Sequence, residues 1–83
     1  MPFQLYLKPK VRKKLQDIRE KDRKRIIDTL DSLVADPFAG KQLHGERTGQ
    51  YSVQAWPYRI IYRIDKNRLL VIIIEFGHRQ GIY

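Results

Sequence analysis

One run of apolar residues constrains the fold of this chain more than any other feature. Residues 69–76 are apolar at every position except Glu75, and the stretch from Leu69 to Ile74 is the longest uninterrupted apolar run. It is far shorter than the roughly 18 residues of a membrane span, so no membrane segment is expected. A short continuous run is typical of a central β-strand that is covered on both faces, or nearly so. We therefore expect these residues to form an interior strand of a sheet.

Alternation of apolar and polar residues predicts the other strands. Residues 51–55 and 58–64 each alternate with a period of two. The dipeptide at 56–57 and the polar segment 65–68 predict the turns between the strands. Such short connections favour an antiparallel meander. A further short strand is predicted at the N-terminus by three alternating apolar residues: Phe3, Leu5 and Leu7.

Helical periodicity occupies the segment between the first strand and residue 36. Apolar residues recur at helical spacing in two sets: Val11, Leu15 and Ile18, then Ile26, Ile27, Leu30, Leu33 and Val34. Pro9 suits a first helical turn, and the residue before Pro37 ends the helical region. Between the sets lies a wholly charged stretch, so the pattern allows either one long helix or two, the second capped by Asp22. A strand, one or two helices and three strands predict an α+β domain with the helices on one face of an antiparallel sheet.

Length and charge narrow the possible partners. A chain of 83 residues is long enough for one domain, spanning 1–83, and too short for two. The 17 basic and 9 acidic side chains give a net charge of +8. Residues 1–25 hold ten basic and three acidic side chains, so they carry +7 of this charge. An excess of this density attracts polyphosphate, which makes the ribosome or another nucleic acid the natural partner and an acidic protein the other option.

Composition also excludes several classes of site. The chain has no cysteine, so it has no disulfide framework, no thiolate nucleophile and no cysteine-bound zinc. Two histidines do not suggest a histidine-rich metal site. The N-terminus lacks the order of a secretory signal, in which charge precedes a longer apolar stretch. The expected location is therefore cytoplasmic.

A set of arginines is the best candidate for a chemical site. Arg59 and Arg63 point to the same face of one predicted strand, and Ser52 and Gln54 are expected beside them on the preceding strand. The segment after the last strand adds an imidazole, a guanidinium and a phenol: His78, Arg79 and Tyr83. Arginine binds phosphate in a planar, bidentate way. If these groups converge, such a set could cleave RNA without a metal, with a base, an acid and arginines that hold the phosphate charge.

Each of these residues also has a structural interpretation. A strand arginine is often a surface residue, and Arg63 could pair with Asp65 or Glu75. A single histidine such as His78 is often a solvated loop residue. The tyrosines that alternate with the arginines are predicted to face the helices as part of the core: Tyr58 and Tyr62.

The ordered set of motifs in the chain resembles the RelE/ParE superfamily of bacterial and archaeal toxins. The resemblance is carried by Tyr58–Asp65, by the aliphatic strand that follows, and by Gly77–Tyr83. Earlier pieces agree with it: the Asp36-Pro37 helix end, the Leu43-His44-Gly45 turn, and Gly49-Gln50-Tyr51 at the start of a strand. Together these pieces cover essentially the whole chain.

The resemblance implies a strand, a two-helix hairpin and a twisted antiparallel sheet, in the order β-α-α-β-β-β. It also implies a type II toxin, neutralised by a cognate antitoxin through which it would reach operator DNA. The RelE branch enters the ribosomal A site and cuts mRNA, whereas the ParE branch inhibits DNA gyrase. The terminal Gly-His-Arg-x-x-Ile-Tyr pattern is similar to the RelE branch. The resemblance therefore assigns catalytic roles to Arg59, Arg79 and Tyr83, and it implies no metal or other cofactor.

One departure from the RelE pattern lies in the strand before Arg59. RelE-like nucleases often have basic residues at two alternate positions of this strand, where the present chain has Ser52 and Gln54. The site would lose two phosphate contacts, one of which can serve as a base in the family. His78 could supply a base or an acid, because imidazole changes its protonation near neutral pH. The side chains expected to contact RNA, some of them replacing the lost charge, are Arg63, Lys41, Arg47, Gln54, Ser52 and Trp56.

Three functions are compatible with these observations. The first is a ribosome-dependent mRNA endonuclease that inhibits translation and leaves a 2′,3′-cyclic phosphate. The second is a gyrase inhibitor of the ParE type, which the neutral Ser52 and Gln54 favour and the C-terminal pattern does not. The third is a catalytically degenerate toxin that acts only as an antitoxin-binding co-repressor. For the first function, ribosome contacts are expected from basic residues of the helices: Lys13, Lys14, Lys21, Arg23, Lys24 and Arg25.

Overall fold

The fold is α+β, as predicted. A computed structural model describes residues 3–78 and 80–81. Within these residues the chain forms two α-helices and five strands. In chain order they are β1 (Gln4–Leu7), α1 (Pro9–Asp17), α2 (Glu20–Ala35), β2 (Lys41–Gln42), β3 (Gln50–Ala55), β4 (Tyr58–Asp65) and β5 (Leu70–His78). The β-α-α-β-β-β order is confirmed, and the two-residue strand β2 is an addition to it.

The described strands form one mixed sheet, in the order β1-β5-β4-β3-β2. The pairs β2–β3, β3–β4 and β4–β5 are antiparallel, and the last two are joined by the short turns that the sequence predicts. Strand β1 runs parallel to β5, with Leu5 opposite Val71 and the Gln4 N–H donating to the Leu69 carbonyl at 2.8 Å. The predicted antiparallel sheet is thus joined by one parallel strand. That strand satisfies the backbone groups on the edge of β5 that faces away from β4, which would otherwise need another partner.

Two helices form rather than one because the backbone is extended at Ile18 and Arg19. Pro9 occupies the first turn of α1, as predicted. Arg19 occupies the cap position of α2, so the prediction that Asp22 caps this helix is wrong. Asp22 lies within the first turn, where its carboxylate still interacts favourably with the helix dipole. None of the helices in the described part of the chain is long and apolar enough to cross a membrane.

The helices cover one face of the sheet, and the main core lies between them and that face. Its largest fully buried side chains include Ile26 of α2 and Tyr62 of β4. The predicted helix-side position of the tyrosines is confirmed, because Tyr62 belongs to this core and Tyr58 packs against it. The other buried members of the core are Val11, Leu15, Leu30, Leu33, Ala55, Ile60, Val71, Ile73 and Phe76.

The opposite face, called the open face below, is not covered by α1 or α2. Leu43 packs there against Ile61 and Ile74 in a second, smaller cluster. A β-bulge next to Ile61 makes Ile74 an extra residue of β5. Strand β5 therefore packs on both faces, which is the physical reason for its continuous apolar sequence. The prediction of an interior strand is confirmed.

Candidate functional site

The predicted arginine face of β4 is the open face of the sheet. Arg59 is paired with Gln54 of β3 and with Gly77 of β5. Ser52 lies one cross-strand pair further along the same face, and exposed Arg63 lies one pair beyond that. Cross-strand partners share a face of the sheet. The structure therefore places Ser52 and Gln54 beside the arginines, as expected.

A groove of ≈ 330 Å³ lies beside Arg59 on this face. Its two cationic side chains are Arg59, which is half-buried, and Lys41, which is exposed and paired with Ser52 across β2 and β3. Ser52 is 6% exposed and neutral, and it lies on β3 between the strands that carry the two cations. The lining residues include no acidic side chain: Ala39, Gly40, Lys41, Ser52, Val53, Gln54 and Arg59. A groove with this charge can accept a phosphate group.

Gly40 and Tyr62 hold one wall of the groove in place. The Gly40 N–H donates to the Tyr62 hydroxyl at 3.1 Å, and that hydroxyl donates to the Pro37 carbonyl at 2.8 Å. A β-carbon at Gly40 would collide with the Tyr62 hydroxyl and would lie 2.9 Å from the Ser52 carbonyl oxygen. This close approach of the backbone to the sheet requires glycine. Lys41 follows directly, so these contacts also position its backbone.

Arg47 is held over the open face by an ion pair. Its Nη2 lies 2.6 Å from Oε1 of Glu75, and its Nη1 donates to Oε1 of Gln50 at 2.9 Å. Glu75 therefore neutralises part of the charge that Arg47 was expected to bring to RNA. Glu75 is a residue that sequence reasoning does not assign to the site. The sequence feature that could have identified it is its charge, because Glu75 is the one carboxylate within the apolar run of β5. A charged residue in such a run indicates a face of the strand that is not fully covered.

The structure does not bring His78 to the arginine face. His78 is paired with Tyr58, and their ring centroids lie 5.7 Å apart in an edge-to-face arrangement. Tyr58 in turn donates to the Asp22 carboxylate of α2 at 3.0 Å, so both rings lie on the helix side of the sheet. Successive side chains of a strand point to opposite faces, so the imidazole and Arg59 are separated by the sheet. The predicted catalytic residues Arg79 and Tyr83 lie outside the described residues.

The Asp22–Tyr58 hydrogen bond changes the acidity of both groups. Partial burial would raise the pKa of the Asp22 carboxyl, but hydrogen bonds from Tyr58 and Arg19 outweigh it, so this pKa lies below its ordinary value. Burial and the nearby carboxylate raise the pKa of the Tyr58 hydroxyl. The pair therefore joins a charged carboxylate to a neutral phenol at neutral pH. It connects the first turn of α2 to the start of β4.

The six basic residues predicted to bind the ribosome divide into two groups. Lys14 donates to the Phe76 carbonyl at 2.6 Å, and Arg25 donates to the Trp56 carbonyl at 3.0 Å. Arg23 donates to three carbonyls at the end of α1, at 3.0 to 3.3 Å. These three side chains join elements of the fold. The other three are exposed on the helices: Lys13, Lys21 and Lys24.

Trp56 lies in the turn between β3 and β4, at the end of the sheet that carries Arg59. Its side chain is 55% exposed, which is unusual for a large aromatic group. The predicted turn at this dipeptide is confirmed, because Ala55 and Tyr58 are paired on either side of it. The indole does not line the groove, but an exposed aromatic ring can stack on an unpaired base.

Comparison of the sequence with known proteins identifies a family. Residues 5–83 match the ParE toxin family of type II toxin–antitoxin systems, parDE. The toxin RelG of Mycobacterium tuberculosis is 41% identical over 44 residues, which are 53% of this chain and 51% of RelG. The match thus spans about half the length of that curated relative.

Solved structures of related toxins share the fold. The M. tuberculosis RelBE2 toxin–antitoxin complex is similar with a TM-score of 0.86 and 26% identity, over 95% of this chain and 100% of that chain. The archaeal RelE–RelB complex from Pyrococcus horikoshii OT3 is similar with a TM-score of 0.82 and 22% identity, over 99% of this chain and 100% of that chain. The isolated E. coli RelE toxin is similar with a TM-score of 0.78 and 19% identity, over 92% of this chain and 83% of that chain. Because the family match covers nearly its whole length, the chain belongs to the ParE toxin family of type II toxin–antitoxin systems.

Proposed function

We propose that the protein is a ribosome-dependent mRNA endonuclease that inhibits translation. The observation that carries this proposal is the groove on the open face, where Arg59 and Lys41 offer two cations without a carboxylate among the lining residues. A phosphate of the RNA backbone fits this charge and this shape. Family membership supports the proposal. The likeness to RelE structures supports it too, because β4, the strand that carries Arg59, is part of the fold that they share with this chain.

The proposed reaction is a phosphoryl transfer within the RNA chain. The 2′-hydroxyl loses its proton to solvent water and its oxygen attacks the adjacent phosphorus. The bond from phosphorus to the 5′-oxygen breaks, and the 5′-oxygen gains a proton. The products are a 2′,3′-cyclic phosphate and a 5′-hydroxyl. Arg59 and Arg79 would stabilise the charge on the phosphate oxygens in the transition state. His78 faces the helices, so the proposal gives it no step and assigns the leaving-group proton to Tyr83.

We further propose that a cognate antitoxin binds this chain and that operator DNA is reached only through it. The related RelE proteins from M. tuberculosis and P. horikoshii were solved as complexes with RelB proteins. Strand β1 lies at an edge of the sheet, where Tyr6 is 45% exposed. Ile27 of α2 is 41% exposed, and its neighbours on the helix surface are two basic and two acidic residues: Arg23, Lys24, Glu20 and Asp28. An acidic amphipathic segment could add a strand at such an edge or lie along such a helix.

Inhibition of DNA gyrase is the second candidate function. The matching family is described as that of ParE toxins. Ser52 and Gln54 stand at the two positions where a nuclease of the RelE branch often has cations, so the groove lacks two phosphate contacts that are common in that branch. The neutral Ser52 and Gln54 of β3 are equally compatible with a toxin that no longer cleaves RNA and acts only as a co-repressor. These alternatives differ in whether transcripts are cut, whether DNA is damaged, and whether growth stops.

The first test is induced expression of the wild type and of the Arg59→Ala/Arg79→Ala variant, with mapping of transcript 5′ ends. A nuclease stops growth and cuts inside translated codons, and the double variant should slow cutting by at least about 100-fold. Circular dichroism checks that the variant is folded. Arg68→Ala is the matched control, because this exposed arginine lies in the β4–β5 turn and not in the groove.

Each outcome selects one function. Cuts in codons that disappear in the double variant and persist in Arg68→Ala support the nuclease. Growth arrest with intact transcripts and a DNA damage response contradicts it and favours gyrase. Normal growth with a folded wild-type chain points to the co-repressor.

A further inference from the structure

A second pocket lies at the opposite end of β3 and β4 from the groove. Its volume is ≈ 420 Å³, within the range of about 300–1,000 Å³ that is typical of sites for small organic groups. Ile64, which lines it, is five residues from Arg59 along β4, a distance of about 17 Å at ~3.3 Å per residue. The two sites are therefore separate. The side chains that matter here are Phe38, Gln42, His44, Tyr51, Ile64 and Lys66.

Aromatic rings form one wall of this pocket. Phe38, in the short turn after α2, is 47% exposed and meets Tyr51 edge to face, with ring centroids 6.3 Å apart. Tyr51 is stacked on Tyr62 with centroids 5.4 Å apart, and Tyr62 is fully buried. Tyr51 is thus fixed by the core, whereas about half of Phe38 remains accessible. An exposed ring beside a concave space can stack on a flat ligand.

The polar groups of the pocket suit an anionic ligand with hydrogen-bonding edges. The Lys66 ammonium lies 5.5 Å from the centroid of the Phe38 ring. The lining also includes the His44 imidazole and the Gln42 amide, which donates to the Tyr51 hydroxyl at 3.4 Å. The described lining residues include no aspartate or glutamate. The nearest acidic neighbour of Lys66 along the chain, Asp65, accepts a hydrogen bond from the Arg68 N–H at 3.1 Å and pairs with its guanidinium.

We propose that this pocket binds an unpaired nucleobase of RNA, stacked on Phe38 and with its phosphate next to Lys66. Proteins bind unpaired bases by stacking them on phenylalanine or tyrosine and by hydrogen bonds from side chains to the base edge. An acidic protein segment with an apolar anchor would use Phe38 and Lys66 but not the amide and imidazole. The inference rests on the proposed function in taking RNA as the ligand, but its test requires no cleavage.

The test measures the affinity of the full chain for a fluorescein-labelled 2′-O-methyl RNA hexamer by fluorescence anisotropy. This probe lacks the 2′-hydroxyl that attacks the phosphorus, so it stays intact. Replacing Phe38 by leucine removes the stacking of one base and should weaken binding by about 5- to 100-fold. The Phe38→Tyr variant keeps an aromatic ring and should bind nearly as well as the wild type. Tyr6→Leu is the control for hexamer binding alone, because it removes an equally exposed aromatic ring that lines neither the groove nor the pocket.

Three results would overturn the proposal. The first is a hexamer affinity of Phe38→Leu equal to that of Tyr6→Leu. The second is an equal loss in Phe38→Leu and Phe38→Tyr, which would show that packing and not the ring is required. The third is unchanged hexamer affinity in Phe38→Leu together with weaker binding of a co-purified antitoxin, which would assign the pocket to a protein partner. Uncut transcripts in cells would instead contradict the proposed nuclease and leave the hexamer result standing.

Discussion

At the scale of single residues, Tyr62 shows how a core side chain shapes the candidate site. Its ring is fully buried and stacked on Tyr51, and its hydroxyl holds the backbone of Pro37 and Gly40. Burial raises the pKa of this hydroxyl to about 12, because the charged phenolate cannot be solvated inside the core. The same residue therefore supports the wall of the groove and makes the fold sensitive to alkaline pH.

The pH dependence of stability follows from the sign of this shift. Below pH 10 the Tyr62 phenol is neutral in both the folded and the unfolded chain, so its full contribution to the free energy of unfolding is present. Between pH 10 and about pH 12 only the unfolded chain ionises, so the free energy of unfolding should fall by about 1.4 kcal/mol per pH unit. Urea unfolding at pH 9, 10 and 11 measures this loss. The Tyr62→Phe variant should lack this part of the slope, and equal slopes in the two proteins would contradict the prediction.

At the scale of elements, the break between α1 and α2 depends on Arg23. Its guanidinium donates to the carbonyls of Leu15, Gln16 and Ile18 across the break. The last carbonyls of a helix have no partner within the helix, and a cation near them also interacts favourably with the dipole. A basic residue of α2 thus caps α1 and fixes the angle between the two helices.

Replacing Arg23 by methionine should destabilise the fold without changing the groove. The loss of charged hydrogen bonds at a half-buried position is expected to cost about 1–2 kcal/mol. For a domain of this size that lowers Tm by roughly 5 to 15 °C, measurable by thermal unfolding followed by circular dichroism. The matched control is Lys24→Met on the same helix, where exposure predicts a change within about 0.5 kcal/mol. A Tm of Arg23→Met equal to that of the control would show that the capping contacts are unimportant.

At the scale of the whole molecule, the basic charge serves two purposes. Residues 1–25 carry most of the net charge of +8. Three of their side chains hold backbone carbonyls of other segments: Lys14, Arg23 and Arg25. The exposed lysines of the same helices lie on the side of the molecule away from the open face, and one of them, Lys24, forms a surface ion pair with Asp28 at 3.9 Å. The net charge therefore overstates the number of basic side chains that could contact a ribosome.

A triple variant tests this division. Changing Lys13, Lys21 and Lys24 together to glutamine should leave the unfolding free energy within about 1 kcal/mol of the wild type. If these lysines contact ribosomal RNA, sedimentation with ribosomes should show weaker binding and a salt dependence that is shallower by up to about three charges. Lys14→Gln is the contrast, since it should reduce stability through the lost contact with Phe76. Unchanged ribosome affinity of the triple variant would remove the helices from the proposed interface.

The candidate site could be predicted from the sequence where it depends on the period of one strand. Arg59, Arg63, Ser52 and Gln54 share a face because side chains alternate along a strand and short turns fix the register. The side to which His78 points could not be predicted in this way. The bulge near Ile74 inserts one residue into β5, and each such insertion exchanges the faces of the residues beyond it.

Local chemistry in the sequence determined the helical region, the β3 to β5 meander, the helix end before Pro37 and the basic N-terminal third, because periodicity, proline geometry and charge act over a few residues. Tertiary structure decided the parallel pairing of β1 with β5, the ion pair of Arg47 with Glu75, and the pocket beside Phe38. Each of these joins segments far apart in the chain. Such contacts form only when backbone groups and charges that are being buried must find partners in three dimensions.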